Sequence, residues 1–115
     1  MNKVKVGFFS FTEITDPAEH HSYNEWHQLD HIPENRALPG IAHGERWART
    51  PRCDELHTTG GSAELDRAHY MTLYLMTDPV EQTLADFQHL GAQLSTIGNR
   101  FHRHRFSHLN GAFLL

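Results

Sequence analysis

The stretch AHYMTLYLMTDPVEQTLADFQHLGAQLSTIG, residues 68–98, holds two structural patterns separated by a single proline. Residues 68–76 form an apolar run of the length and composition typical of a strand. After Pro79, apolar residues recur at spacings of three and four, which predicts a helix with one apolar face suited to a sheet surface. The residues on that face are Val80, Leu84, Phe87, Leu90, Leu94 and Ile97. This stretch therefore predicts a strand followed directly by a helix.

The same arrangement occurs near the N-terminus, where Thr15-Asp16-Pro17-Ala18-Glu19 repeats the spacing of Thr77-Asp78-Pro79-Val80-Glu81. An aspartate can cap a helix, a proline suits the first helical position, and a glutamate can complete a capping box. Residues 3–11 precede this segment and alternate in the manner of a strand that is partly covered on both faces. We therefore predict a second strand-to-helix unit, with its helix beginning at residue 17.

Two further segments complete the predicted fold. Residues 41–50, IAHGERWART, alternate as a strand, and residues 108–115 can supply a last strand. The polar segment 51–66 is expected to form an exposed loop, and the basic run Arg100, Arg103 and Arg105 a helix end and a solvated turn. The order β-α-β-β-α-β predicts a single ferredoxin-like domain over residues 1–115, of class α+β. Such a domain has a four-stranded antiparallel sheet with both helices on one face.

The composition excludes some partners. The chain has 10 basic and 14 acidic residues and a formal net charge of −4, so it lacks the basic surface with which proteins bind nucleic acid or anionic membranes. No apolar run approaches the length of a membrane span, and the chain opens on a strand-like run rather than a leader peptide. We therefore expect a cytoplasmic protein, although the abrupt end in Gly-Ala-Phe-Leu-Leu leaves open a longer parent chain. The single cysteine, Cys53, can form no internal disulfide and is expected in a solvated loop.

The first predicted helix carries aromatic and titratable residues where the second carries leucines. Its sequence, YNEWHQLDHIPENRALPG over residues 23–40, gathers five of them on one side: Tyr23, Trp26, His27, Asp30 and Glu34. Pro33 cannot donate a hydrogen bond to Leu29 and crowds its carbonyl, so the helix is expected to end or kink at residues 29–32. His31 would then lie at a bend, where it can point toward Arg46 or His69 of the neighbouring strands. This helix is therefore predicted to line a pocket rather than only to cover a core.

Both faces of the predicted strands carry apolar side chains, among them Phe8, Phe9, Phe11, Trp47, Leu73 and Tyr74. The two helices can cover only one of these faces. A chain of 115 residues also buries a modest apolar area for a stable monomer. A second copy is the simplest cover for the other face, so we predict a homodimer.

The helix sequence also resembles a known family. It carries Tyr23, Trp26, Asp30-His31, Pro33 and Pro39-Gly40, followed by Arg46-Trp47 on the next strand, and this pattern resembles the EthD-like branch of the dimeric α/β-barrel superfamily. The resemblance implies dimers whose sheets pack face to face and a pocket between the sheet and the helices. It also implies activities such as cofactor-free monooxygenation, cyclisation or isomerisation in polyketide or aromatic metabolism. His27 stands where relatives are expected to carry tyrosine or another aromatic residue.

Residues and resemblance together predict a pocket for a small aromatic or enolisable molecule, used without a cofactor for proton transfer. His31 is predicted to act as general acid and base, Asp30 to orient it, and Tyr23 and Arg46 to stabilise developing negative charge. Trp26 and His27 are predicted to form the walls. The remaining predicted substrate-binding residues are Glu34, His69 and Trp47. The simpler alternatives are core packing for Trp26, a surface ion pair for Arg46 and a helix-end contact with a backbone carbonyl for His31.

Other functions are weighed against this prediction. His27, His31 and Glu34 have a spacing that can place metal ligands on one side of a helix, but Pro33 breaks the helix and the glutamate of the zincin motif is missing, so no metal is predicted. The histidine-rich tail, residues 101–108, and the pair His20-His21 are expected to be solvated. The pocket can also serve a binding module without catalysis. Haem binding, known in other branches of the superfamily, is a third alternative.

Overall fold

The computed structural model describes residues 3–58, 60–98 and 103–115. Four strands are present: β1 (Val4–Ile14), β2 (Ile41–Ala48), β3 (Tyr70–Thr77) and β4 (Arg105–Leu114). The first connection contains a 3-10 turn (Pro17–Glu19), α1 (His20–Trp26), a π-helical turn (His27–His31) and α2 (Ile32–Arg36). Two short helices, α3 (Pro51–Leu56) and α4 (Ala63–Arg67), join β2 to β3, and α5 (Val80–Thr96) joins β3 to β4.

The four strands form one antiparallel sheet in the order β2-β3-β1-β4. Phe8 on β1 lies between Tyr74 on β3 and Ala112 on β4. With a helix following β1 and another following β3, this topology confirms the predicted ferredoxin-like α+β fold. Among the described residues, no helix is long and apolar enough to cross a membrane.

The hydrophobic core lies between the sheet and the helices. One buried cluster contains Val6, Ile32, Ile41, Tyr74 and Met76, and the predicted apolar face of α5 packs on it through Val80, Leu84 and Phe87. A second cluster beside α1 contains Ile14, Tyr23 and Tyr70, with Trp26 packed against it. The first helix therefore contributes mainly aromatic rings, where α5 contributes two aliphatic side chains and one phenylalanine.

The first helix passes Pro33 by means of a π-helical turn. Ile32 N–H donates to the His27 carbonyl, five residues earlier, and α2 begins immediately afterwards with Pro33 in its first turn. Because a proline has no N–H and needs room for its ring, widening the preceding turn removes the conflict with the Leu29 carbonyl. The predicted disturbance at 29–32 is present, but the helix continues past it instead of ending.

Three sequence predictions need correction. Segment 51–66 is not a plain loop, because Thr50 and Ser62 side chains cap the helices α3 and α4. β4 begins at Arg105 rather than at residue 108, because β1 extends to Ile14 and pairs with it there. Arg105 and the tail residues that follow it therefore belong to the sheet and not to a solvated turn; Arg100, Phe101 and His102 lie outside the described residues.

The sheet face opposite the main helices, here called the open face, carries exposed apolar side chains. Phe9 packs edge-on against Phe113 at a centroid distance of 5.8 Å. Trp47, Leu109 and Phe113 are 43%, 49% and 58% exposed, respectively. Part of this face near Trp47 lies beneath α3 and α4, and the rest carries no cover from the described chain.

Candidate functional site

A cavity of about 60 Å³ lies between the sheet and the helices, at the π-helical turn. Side chains from every strand except β2 and from both long connections line it. They are Phe8, Ser10, His27, His31, Thr72, Tyr74, Phe87, Arg105, Ser107 and Asn110. The cavity thus lies where the sequence places the pocket, and two of the predicted site residues, His27 and His31, face it.

The π-helical turn arranges four rings into two neighbouring stacks. His31 stacks on Trp26, five residues earlier, with centroids 4.6 Å apart and planes 20° from parallel. His27 stacks on Tyr23, with centroids 5.2 Å apart and planes inclined by 27°. The two imidazole rings lie 5.4 Å from each other. The wide turn therefore places two buried imidazoles side by side, each backed by an aromatic ring.

His27 is held in its neutral form. Its side chain is buried, and its Nδ1 has no hydrogen-bond partner among the residues described. Burial lowers the pKa of His27 to about 2, and His31, Arg46 and Arg105 add to the effect by charge repulsion. Because this value is far below neutrality, His27 carries no charge under ordinary conditions. It suits the predicted role of a pocket wall and not that of a base.

His31 is oriented by Asn35, a residue that the sequence did not single out. Asn35 Nδ2 lies 3.3 Å from His31 Nε2 and also donates to the Tyr74 hydroxyl at 3.1 Å. With the amide assigned in this orientation, His31 Nε2 accepts, so the neutral ring carries its proton on Nδ1. The sequence signal for Asn35 was its spacing of four from His31, which places the two on one face of a helix.

Asp30 and Glu34 form a pair of their own. The hydrogen bond that protonated Glu34 donates to the Asp30 carboxylate raises the pKa of Glu34 to about 7, and burial and the charge of Asp30 act in the same direction. Asp30 was predicted to orient His31, yet the residue bonded to His31 Nε2 is Asn35. Neither carboxylic acid is among the residues that line the cavity. The acidic pair thus lies outside the lining of this cavity.

Arg46, on β2, packs against the aromatic rings of Tyr23 and Tyr70. Its guanidinium lies 4.8 Å from the centroid of the Tyr70 ring and 5.7 Å from that of Tyr23, and Nη2 donates to Asn24 Oδ1. Asn24 in turn donates to the Tyr70 hydroxyl at 2.9 Å, which lies 2.7 Å from His20 Nδ1. Tyr70 and His20 therefore share a hydrogen bond, so His20 is part of a network rather than freely solvated.

Tyr23 is a neutral phenol in this environment. It is fully buried, and burial raises its pKa to about 12, although Arg46 and Arg105 oppose that rise. Tyr23 and Arg46 lie beside the stacked rings, but they are not among the residues that line the cavity. Tyr23 and Arg46, the two residues predicted to stabilise negative charge, thus lie behind the lining residues and do not face the cavity.

Arg105 is the cation at the cavity, and the sequence analysis assigned it to a solvated turn. It stands at the start of β4, with its guanidinium 5.4 Å from the centroid of Trp26. It lines the cavity together with the two imidazoles. The cavity therefore contains a cationic side chain, which suits a ligand group on which negative charge develops. Only the length of β1, not the local sequence, could have indicated this position.

Two predicted substrate-binding residues lie elsewhere. His69 and Trp47 line a separate cavity of about 310 Å³ on the open face, and they share no lining position with the first cavity. The metal alternative also finds no support in the geometry. In the described part of the chain, the residues whose ligand atoms lie within 4.8 Å of one another are Asp16, Glu19 and His104, not the set His27, His31 and Glu34.

The comparisons with known proteins support the fold. No family model matches the chain, and no curated protein matches it in sequence. HapK from Hahella chejuensis is 14% identical, with a TM-score of 0.57 over 94% of this chain and 90% of that one. A dimeric ferredoxin-like protein of unknown function from Thermobifida fusca is 13% identical, with a TM-score of 0.55 over 100% and 94%. A "putative monooxygenase" from Shewanella loihica is 9% identical, with a TM-score of 0.56 over 100% and 97%. At these identities the likeness shows the ferredoxin-like fold alone.

Proposed function

We propose that the protein is an EthD-like enzyme that moves protons on a small aromatic or enolisable molecule without a cofactor. The observation that carries this proposal is the pair of buried imidazoles, His27 and His31, which line one cavity together with Arg105. Such a site suits a reaction in which a neutral substrate becomes an enolate or phenolate. The "putative monooxygenase" from Shewanella loihica, which shares the fold, is consistent with chemistry of this class.

His31 is the group that we assign to proton transfer. In the forward step the substrate takes the place of Asn35 at His31 Nε2, which accepts a proton from a phenol or from a carbon beside a carbonyl, and Arg105 stabilises the resulting oxyanion. In an isomerisation the same imidazole returns the proton at a second carbon, so the reaction needs no further reactant. His27 stays neutral throughout and therefore places no competing positive charge beside His31.

A ring-sized substrate has to enlarge this cavity. Ligand pockets usually measure roughly 300 Å³ or more, whereas this cavity measures about 60 Å³. Arg105 is partly exposed and has a long, unbranched side chain, so its movement is the least costly way to admit a ring. Trp26, on which its guanidinium now rests, would then be free to stack on the substrate.

Exchange of carbon-bound hydrogen tests the proposal directly. The probe is 2-tetralone, an aromatic ketone with enolisable positions, incubated with the protein in heavy water and followed by NMR. We expect the protein to accelerate deuterium uptake and His31→Ala to lower the rate by about 100-fold. His21→Ala is the matched control, since the His21 side chain is 93% exposed. Binding of the probe without accelerated exchange would instead assign the cavity to a binding module.

We further propose that the protein forms a homodimer through its open face. Support comes from the exposed apolar side chains there, and from the Thermobifida fusca protein of the same fold, which is described as dimeric. We expect light scattering to give twice the chain mass, and Phe113→Glu to yield monomers. Ile97→Glu changes an apolar residue that is 73% exposed at the end of α5, and it should leave the dimer intact. A monomeric parent protein would refute this proposal.

A further inference from the structure

The larger cavity lies on the open face, at the ends of β2 and β3 beneath α3 and α4. Its volume is about 310 Å³, against about 60 Å³ for the cavity at His31. Phe11, Trp47 and Met71 form its floor, because they occupy the open-face positions of three adjacent strands. Leu65 of α4 lines it from above. The space is thus an apolar slot between the sheet and a pair of short helices.

Polar contacts rather than apolar packing hold these helices over the slot. Arg49 Nε lies 2.7 Å from Asp54 Oδ1 on α3, and Arg49 Nη1 donates at 2.8 Å to the carbonyl of Asp66 on α4. One guanidinium therefore links both helices to the end of β2. Every residue of α3 is exposed, including Leu56 at 77%. The contacts of Arg49 thus hold the two helices at a distance from the sheet, and the slot between them and the sheet stays open.

The slot has one well-defined hydrogen-bond donor, His69. Its Nδ1 accepts the Ile14 backbone N–H at 3.0 Å, which fixes the proton of the neutral ring on Nε2. Burial lowers the pKa of His69, and His20 and Arg49 contribute in the same direction, so the neutral form predominates at neutral pH. Within the described chain, no acceptor is hydrogen-bonded to His69 Nε2. Arg49, His57 and Thr58 also line the slot, so the ligand that suits it is mainly apolar and carries an acceptor for His69.

The charge around the slot favours a neutral ligand. Arg49 is the nearest cation, but Asp54 lies against its guanidinium. Asp66 lies 3.5 Å from His57, a second residue of the slot. The two carboxylates offset the positive charge, so an anionic ligand gains little here. A carbonyl or a hydroxyl meets the donor without this penalty.

We propose that this slot is a second ligand site, for a flat apolar molecule that carries one neutral acceptor directed at His69. The site is separate from the cavity at His31, because the two have no lining residue in common and lie on opposite faces of the sheet. Its function does not depend on the proton transfer proposed above. Trp47, which is 43% exposed in the single chain, lies at the edge of the slot.

Calorimetric titration with 2-acetonaphthone, a flat ketone, tests the site. We expect one molecule to bind per chain in the slot, in addition to any that enters the cavity at His31, and 2-ethylnaphthalene, which has no acceptor, to bind the slot about 10-fold more weakly. Leu65→Trp should fill the slot and reduce the affinity for 2-acetonaphthone by at least about 10-fold. The matched control is Leu56→Trp, on the exposed side of the same helical pair, which should bind as the parent protein does. His69→Phe should remove the difference between the two probes while circular dichroism shows an intact fold.

Three results would overturn the proposal. The first is an absence of binding to the parent protein up to the solubility of the probe. The second is unchanged binding in Leu65→Trp, and the third is loss of binding in His31→Ala, which would place the probe in the smaller cavity. A partner copy in the slot would show itself differently: Leu65→Trp would then weaken the dimer, and no probe would bind.

Discussion

Acid should destabilise this protein through His27, and the size of the effect follows from the structure. The pKa of His27 is about 2 in the folded chain, against 6.5 for an ordinary histidine, because burial opposes its charge. Between these values the unfolded chain binds a proton that the folded chain does not. Stability therefore rises with pH over this window and falls as the pH drops below about 6.5. Integrated from about pH 7 to about pH 5, this single group removes roughly 2 kcal/mol from the free energy of unfolding.

Replacing His27 by glutamine tests this reasoning, since glutamine does not titrate. Urea unfolding at about pH 7 and about pH 5, with the chain concentration held constant, should show that the variant loses roughly 2 kcal/mol less than the parent. His21→Gln is the control, because the side chain of His21 is 93% exposed, and it should lose as much as the parent. Equal losses in His27→Gln and the parent would show that the folded chain protonates His27 readily, and the neutral pocket wall would have to be abandoned.

Three further predictions concern packing and charge. Gly40→Ala should lower the free energy of unfolding by about 2 kcal/mol or more in a urea titration, because a Cβ there would lie 1.9 Å from Thr83 Oγ1. The control is Gly111→Ala, whose Cβ would meet its nearest atom at 3.4 Å. It should lower the free energy of unfolding by no more than about 0.5 kcal/mol in the same titration. Asn35→Leu should destabilise the fold by about 1–3 kcal/mol in thermal unfolding, since a buried hydroxyl and an imidazole lose their shared partner. Arg105→Gln should slow deuterium exchange into 2-tetralone by about 10-fold without changing the melting temperature, and an unchanged rate would remove the cation from the mechanism.

The order of strands and helices was readable from the sequence because local chemistry determines it. The second strand-to-helix unit shows this well. The side chains of residues 68–76 alternate between the two faces of the sheet. The apolar positions from Val80 onward define the face of α5 that packs on the sheet. The strand that follows was harder to predict. Its start at Arg105 depends on how far β1 extends, which is a property of the pairing and not of the segment itself.

The site was predictable in part for the same reason. The helical period alone brings Tyr23 and His27 onto one side of the helix. The stacking of His31 on Trp26 instead requires a π-helical turn, and the sequence indicates only that Pro33 disturbs the helix, not how the backbone accommodates it. His69 and Trp47 were grouped with the helix site because they lie on neighbouring strands. The alternation of side chains places Trp47 on the other face, under helices that polar tethers hold in place.

The two adjacent imidazoles differ in role because they differ in partners. His31 has Asn35 to orient it, whereas His27 Nδ1 has no partner within the described residues, and burial together with two arginines keeps the His27 ring neutral. If both rings could be charged, protonation of one would oppose protonation of the other across 5.4 Å. A permanently neutral His27 removes this coupling. The cavity therefore has one imidazole that stays neutral, and this ring maintains the apolar surroundings in which Arg105 acts most strongly on an oxyanion.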